Sequence, residues 1–596
     1  MANIHSERIA ALRQFMKKAD VAAVIIPQAD PHLSEYLASH WQARRWFSGF
    51  GGSAGDLVVT ADDARLWTDS RYFLQAADQL KGSGIELMKD GLAETPAIAD
   101  WLAATLRKGD TVGVDGLLFS APALKNLGDT LAAKGIGLNC HFDVVSPLWN
   151  DRPALPDSKI YVHNIAYAGE RAADKISRIL DFAAANGAQS TFISALDEIA
   201  WTLNIRCDDV RHTPVATAYL YLSPTARILF IDGAKLTPET MAYLSGEGVA
   251  TAPYPTAPKF LSELPADEKV LVEPAHTSGA VMDILGSKAV TVKFSPAARF
   301  KACKNNVQLE GIRNAMTRDG VALVHSFMEI ERRLADGTPT TELDIAEILR
   351  RHRSAGENWR DESFGTIAGY GPHGAIVHYE ADAESSSTLR PEGLLLVDSG
   401  AQYLDGTTDI TRTVALGIPT AMEKADFTLV MKGHIALATM MFPDDTRGAQ
   451  LDAIARQFLW RNGLSYLHGT GHGVGHFLGV HEGPQSIRLN YVDYPLQPGM
   501  ITSDEPGLYR SGVHGIRCEN LVLTHEVLRN EFGTFLAFET LTMFPFDRNL
   551  FDLDIMSADE IAWVDGYHAT VRQRLTPFLD ADAAAWLADR TRPLKD

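Results

Sequence analysis

The sequence is poor in cysteine, and Cys140, Cys207, Cys303 and Cys518 stand far apart with no CxxC pair among them. That scatter argues against a disulfide framework and against a thiolate zinc site, and it fits a reducing compartment. Each cysteine reads as a small buried hydrophobe, with Cys518 set apart by the acidic residues around it. Positive charge is also in deficit: Lys plus Arg number 55 against 75 Asp plus Glu, a formal net charge of −20. A protein that tracks phosphate backbones needs a basic face, so nucleic acid is not an expected partner. No run approaches the ~20 apolar residues of a membrane span, and no membrane partner is expected. The first residues, MANIHSERIAALRQF, mix charged with apolar side chains and lack the apolar core of a secretory signal, which points to the cytoplasm. Short-period repeats and low-complexity segments are absent as well.

What is there is a chain of 596 residues, 46% of them hydrophobic. At ~150 residues per domain this suggests three or four domains. The first stretch alternates helical and strand-like segments, with an amphipathic helix from Ser6 to Lys17 and a buried strand from Val21 to Ile26. SPLWNDRPALPDS, residues 146–158, concentrates Pro and polar residues as a linker does. A second alternating unit follows, opening with a helix from Ala172 that stops at the Asn186-Gly187 signal. Pro296 to Lys304 is the next expected junction. The third region opens with a long helix, Val307 to Ala335, whose apolar residues recur at helical spacing. Further helices are expected at 341–352, 423–441 and 450–461, and strand pairs at 393–398 with 407–414 and 500–505 with 515–524. Gly49-Phe-Gly-Gly-Ser-Ala54 has the GxGxxA spelling of a dinucleotide loop. It leads into the strand-like DLVVT rather than a helix, so it is not read as one.

The third region places its acidic residues unusually. Asp398 ends the apolar run LLLVD, where a charge is normally avoided. If the turn centres on Tyr403-Leu404, Asp398 and Asp409 face each other across a hairpin; a turn at Asp405-Gly406 would shift that register. Glu505 and Glu519 lie symmetrically about Gly512 in a second hairpin. Carboxylates held opposite one another need something positive between them. Each hairpin would thus deliver two carboxylates to one face, and His472, in the glycine-rich HGTGHGVG, would add a nitrogen. This donor set suits Mn²⁺, Co²⁺ or Zn²⁺, and a two-metal site would share a hydroxide. Read singly, a strand-end Asp also suits a cap or turn, and His472 a surface position.

DSGAQYLDGTTDITRT, HGTGHGVGHFLGVHEGP, SDEPGLY and GIRCEN, in this order, resemble the metallopeptidase family with the pita-bread fold. WFSGFGGSAGDLVVT, LWTDSRYFLQAA, LDEIAWTLNIR and FLAFETLTMFPFDRNL extend the likeness to its long, three-domain aminopeptidase P branch over nearly the whole chain. The resemblance implies two small creatinase-like α/β domains, residues 1–154 and 155–302, followed by a pseudo-symmetric α+β catalytic domain over 303–596. It implies a cytoplasmic homodimer that removes the N-terminal residue from peptides with proline second, using two divalent ions, Mn²⁺ before Zn²⁺ or Co²⁺.

Carried over residue by residue, the resemblance implies that Asp398 chelates one metal, Asp409 and Glu519 bridge both, and His472 and Glu505 complete the second. His378 and His481 would hydrogen-bond the scissile carbonyl, with Glu505 also the proton shuttle. Arg71 would reach the peptide, His468 would line the pocket, and Arg517 would orient Glu519 from the same strand face. His476, His514 and Cys518 depart from the family's usual residues without removing a ligand. The alternatives are a prolidase-like dipeptidase, a creatinase-like metal-free hydrolase and a catalytically inactive peptide-binding module. Two N-terminal domains stand against the first, and an intact set of five ligands against the others.

Overall fold

The structure, a computed structural model, describes residues 3–596. The chain forms two compact units, one running to His163 and resuming over Glu170–Ala297, the other made of Asn164–Gly169 and Ala298–Asp596.

The first unit holds two six-stranded sheets built to one plan. In the first, Ala23–Ile26 pairs antiparallel with Asp56–Thr60 on one side and parallel with Thr111–Gly113 on the other. In the second, Ser190–Ile193 pairs antiparallel with Ala218–Leu222 and parallel with Val270–Val272. The outer strands repeat the same sequence of parallel and antiparallel neighbours. The first helix runs Ile4–Lys18, started by the Asn3 side chain, and buries Ile9, Leu12 and Met16. The helix Ala172–Ala185 stops as expected, at Asn186 and a Gly187 whose φ of 79° only glycine adopts at little cost. Residues 151–160 form neither helix nor strand, and the GxGxxA segment is a loop between the helix Ala43–Ser48 and the strand Asp56–Thr60. Pro296 to Lys304, the expected junction, holds the boundary between the two units, at Ala297 and Ala298, within a short helix, Pro296–Ala302.

The second unit opens with the helix Asn306–Ala335, where Asn305 and Gln308 form a reciprocal cap. It packs with the helix Glu342–Ser354 over a core that includes Leu323, Phe327, Ile345 and Leu349. Ala421–Ala438 and Gly448–Trp460 follow near their expected places. A three-stranded sheet has Leu394–Ser399 at its centre, and a six-stranded sheet contains Ile501–Asp504 paired with Asn520–Asn530. Between those last two strands the chain makes a small extra hairpin, Gly507–Arg510 with His514–Arg517.

Candidate metal centre

Two hairpins and one glycine-rich strand carry the residues expected as ligands. In the first hairpin Asp398 stands opposite Thr411, not opposite Asp409. The tight turn is Leu404-Asp405, with Tyr403 paired to Gly406, so the partner of Asp398 moves by two residues. Asp409 falls in the break between the two paired segments, and its charge still acts on Asp398. The second hairpin keeps its expected symmetry: Asp504 pairs with Asn520 and Gly507 with Arg517, both ladders centred on Gly512. Glu505 and Glu519 lie between those ladders. Backbone bonds stitch the segments together, Glu519 N donating to Thr411 O at 3.1 Å and Glu505 N to Thr470 O at 2.8 Å.

His472 lies in the strand Gly471–Gly473, which runs close against Thr502 and Ser503. A Cβ on Gly471 would overlap the Ser503 carbonyl, so glycine is required there. The His472 N–H donates to Ser503 Oγ at 2.9 Å, and that hydroxyl donates to Glu505 Oε1 at 3.2 Å. Nδ1 of His472 lies 3.0 Å from its acceptor, Gly473 O, an arrangement that leaves Nε2 facing the acids. Nε2 sits 3.5 Å from both Asp409 Oδ2 and Glu505 Oε1.

The electrostatics are those of crowded buried acids. Burial raises Asp398 above the ordinary carboxylate range, with Asp409 adding to it and Arg517 opposing. Glu505 is pushed up to about 7, first by burial and then by Asp409 and Asp398, against the pull of His472 and Arg517. Glu519 goes well above its usual range through burial and its three acidic neighbours. Burial disfavours a charged His472, yet Asp409 and Glu505 outweigh it and raise the imidazole to about 9. Asp409, His472 and Glu519 offer ligand atoms all within 4.8 Å of one another, and Asp398 Oδ1 is buried with no hydrogen-bond partner. Oxygen donors of this kind with one imidazole fit divalent first-row cations.

A family model for metallopeptidase family M24 matches residues 310–526, and one for its C-terminal region matches 534–594. Creatinase/prolidase N-terminal domain models match 8–136 and 151–308. Aminopeptidase P2 of Arabidopsis thaliana is 41% identical over 99% of this chain and 88% of its own length. The chain belongs to metallopeptidase family M24. A probable Xaa-Pro aminopeptidase P of Laccaria bicolor is 41% identical over 99% of this M24 chain and 94% of its own length. The crystal structure of X-prolyl aminopeptidase from Caenorhabditis elegans, described as a cytosolic enzyme with a di-nuclear active site, superposes with a TM-score of 0.96 at 33% identity, covering 99% of each chain.

Around the M24 centre the remaining expected residues take distinct places. His481 packs edge-on against His472, ring centroids 4.4 Å apart. His378 lies half-buried in the turn after Gly371–Ala375. His468 shares a 2.8 Å hydrogen bond with the Tyr509 hydroxyl, which also accepts from Arg517 at 2.8 Å. Arg517 is buried, ion-pairs with Asp398, and reaches Glu519 through the Thr411 hydroxyl. Arg71 lies in the first unit, doubly hydrogen-bonded to Asp69 with Glu35 at 3.7 Å. Burial pushes the Cys518 thiol up, as a small buried hydrophobe requires.

Sequence reasoning missed three positioning groups. Thr411 donates to Glu519 Oε2 at 2.8 Å, and its place two residues after Asp409 on a TTDITRT strand was the available signal. Tyr509 joins His468 to Arg517. Glu342, fully buried, accepts from Tyr370 N, Ser387 N and the Tyr379 hydroxyl at 2.7–2.9 Å, with His373 Nδ1 at 2.9 Å. It thereby pins both ends of the segment that carries His378, and no spacing marks it.

Proposed function

We propose that this chain is a metal-dependent aminopeptidase that releases the N-terminal residue from peptides whose second residue is proline. The observation that carries the reading is the meeting of Asp409, His472 and Glu519 in a buried acidic site, within a chain similar over its full length to Xaa-Pro aminopeptidases. Asp398, Asp409, His472, Glu505 and Glu519 would hold two divalent cations, with Mn²⁺ our choice over Zn²⁺ or Co²⁺. Bound there, the ions would supply Lewis acidity, an activated water and a ligand position for the substrate's free amine.

The chain's own residues account for the rest. His472 is held by Gly473 O so that Nε2 faces the acids, and Arg517 fixes one oxygen of Asp398 while leaving the other free. Glu505 would take a proton from water and return it to the proline nitrogen, which must be protonated to leave. His378 and His481 would hold the carbonyl oxygen as it gains charge. We assign Arg71 and His468 to the outer reaches of the peptide site, domain boundaries near residues 154 and 302, and a homodimer in the cytosol.

The test is direct. Mn²⁺-loaded protein given Arg-Pro-Pro should release free arginine, and the N-acetylated peptide should stay intact. Release of the dipeptide Arg-Pro instead would contradict the reading.

A further inference from the structure

In the first unit, Glu198, Glu273 and His276 bring one ligand atom each to within 4.8 Å of one another. They come from three segments: the first turn of the helix Leu196–Leu203, the residue after the strand Val270–Val272, and the end of the turn Pro274–His276. Ser190–Ile193 and Val270–Val272 run parallel and side by side, and Ser190–Ile193 has an antiparallel neighbour on its other side. The carboxyl edge of an open α/β sheet, where the strand order turns back, is where such sheets bind ligands. The twin sheet has the same topology without these groups: counted from its equivalent strand end, Gly113, the places of Glu273 and His276 are Val114 and Leu117.

The charges do not balance as they stand. Both carboxylates are buried, and the charged groups acting most strongly on Glu198 are Glu273, Asp197 and His276. One imidazolium does not neutralise them, and burial with Glu273 pushes Glu198 up to about 8. Ser295 holds one oxygen of each acid, its Oγ donating to Glu198 Oε2 at 2.6 Å and its N–H to Glu273 Oε2 at 2.7 Å. Glu273 Oε1 lies 3.0 Å from His276 Nδ1, an ion pair whose two atoms a bound cation would take as ligands in place of the shared proton. A cavity of about 10 Å³ opens onto Ser194, Glu198, Glu273, His276 and Ser295, room for one water or ion. The hydroxyl of Ser194, a buried residue of its wall, has no hydrogen-bond partner.

We propose that Glu198, Glu273 and His276 form a mononuclear site for a divalent first-row cation, separate from the M24 centre and independent of the peptidase reading. Two carboxylates and an imidazole, with a position open to water, suit a borderline ion such as Zn²⁺. The ion ties a helix, a strand end and a turn together, so its role is to stabilise the second α/β sheet.

The experiment dialyses the full chain against Zn²⁺, removes free ion, and counts bound metal in wild type, His276→Ala and Glu273→Gln. The side chain of His276 is 49% exposed, so its removal leaves the fold intact even if Glu273→Gln does not fold. Expected is one metal equivalent fewer in each variant, with arginine release by Mn²⁺-loaded protein within about twofold of wild type. Zn²⁺ should raise the melting temperature of wild type and of Asp409→Asn, but less that of His276→Ala. Equal metal content in wild type and His276→Ala overturns the proposal and makes the cluster a proton-sharing pair of acids. Absent peptidase activity in wild type counts against the peptidase reading alone.

Discussion

Arg517 and Asp398 form a buried ion pair, Nη2 to Oδ2 at 2.7 Å, that leaves Asp398 Oδ1 free for a cation. The same guanidinium donates to Thr411 Oγ1 and Tyr509 Oη, a fork that a lysine ammonium does not reproduce. Arg517→Lys should therefore keep the charge and lose the orientation. Mn²⁺ titration should show affinity weakened by about 10–100-fold, the usual cost of losing a group that orients a ligand. Unchanged affinity would mean that Asp398 is held by other means.

Ligands and substrate-holding residues separate by mutation. Asp409→Asn keeps the size but removes a charge, so metal content and turnover should both collapse. His481→Ala should retain its metals while kcat falls by about 10²–10³, the typical loss for one oxyanion donor. Loss of metal in His481→Ala would reverse the division of roles between it and His472.

Glu342 acts at a distance. Glu342→Gln leaves the amide donors of Tyr370 and Ser387 competing for one acceptor oxygen, a cost of about 1–3 kcal/mol for a buried group. Lower melting temperature and reduced kcat with unchanged metal content are expected. A variant as active and stable as wild type would show that the His378 segment does not depend on this carboxylate.

How much of this is legible in the sequence depends on what fixes each geometry. Glu505 and Glu519 count equally from Gly512, so their meeting can be read from the chain. The partner of Asp398 cannot, because turn signals at Asp405-Gly406 compete with a centre two residues' worth of register away. Strand alternation puts Arg517 on a face but does not choose between Glu519, its near neighbour, and Asp398 on another hairpin. The long helix is legible from its apolar stripe and the Asn305 cap. Glu198, Glu273 and His276 carry no spacing motif, because only the folded sheet edge brings their three segments together.

His568 is a source of acid sensitivity away from the candidate metal site. His568 is fully buried on the helix Ala558–Leu575, and its Nε2 accepts the Phe546 N–H at 3.1 Å. Burial, with Arg412, Arg548 and Arg572 adding to it, lowers its pKa from 6.5 to about 3. On acidification between those values the unfolded chain takes up a proton that the folded chain refuses. Stability thus falls with falling pH, by up to about 1.4 kcal/mol per unit. His568→Gln keeps an acceptor and does not titrate, so its melting temperature should drop less than that of wild type from about pH 7 to about pH 5. Parallel curves would remove His568 from the acid response.

The most direct measurement is kcat/KM of the Mn²⁺-loaded protein for Arg-Pro-Pro beside Arg-Ala-Ala. Proline makes the scissile bond a tertiary amide with no N–H and a fixed ring, so a site shaped to it discriminates in the transition state. Expected is removal of arginine from both, with the alanine peptide at least roughly tenfold slower, about 1.4 kcal/mol of transition-state binding. Equal kcat/KM for the two peptides would contradict the Xaa-Pro specificity and leave a dinuclear aminopeptidase without it.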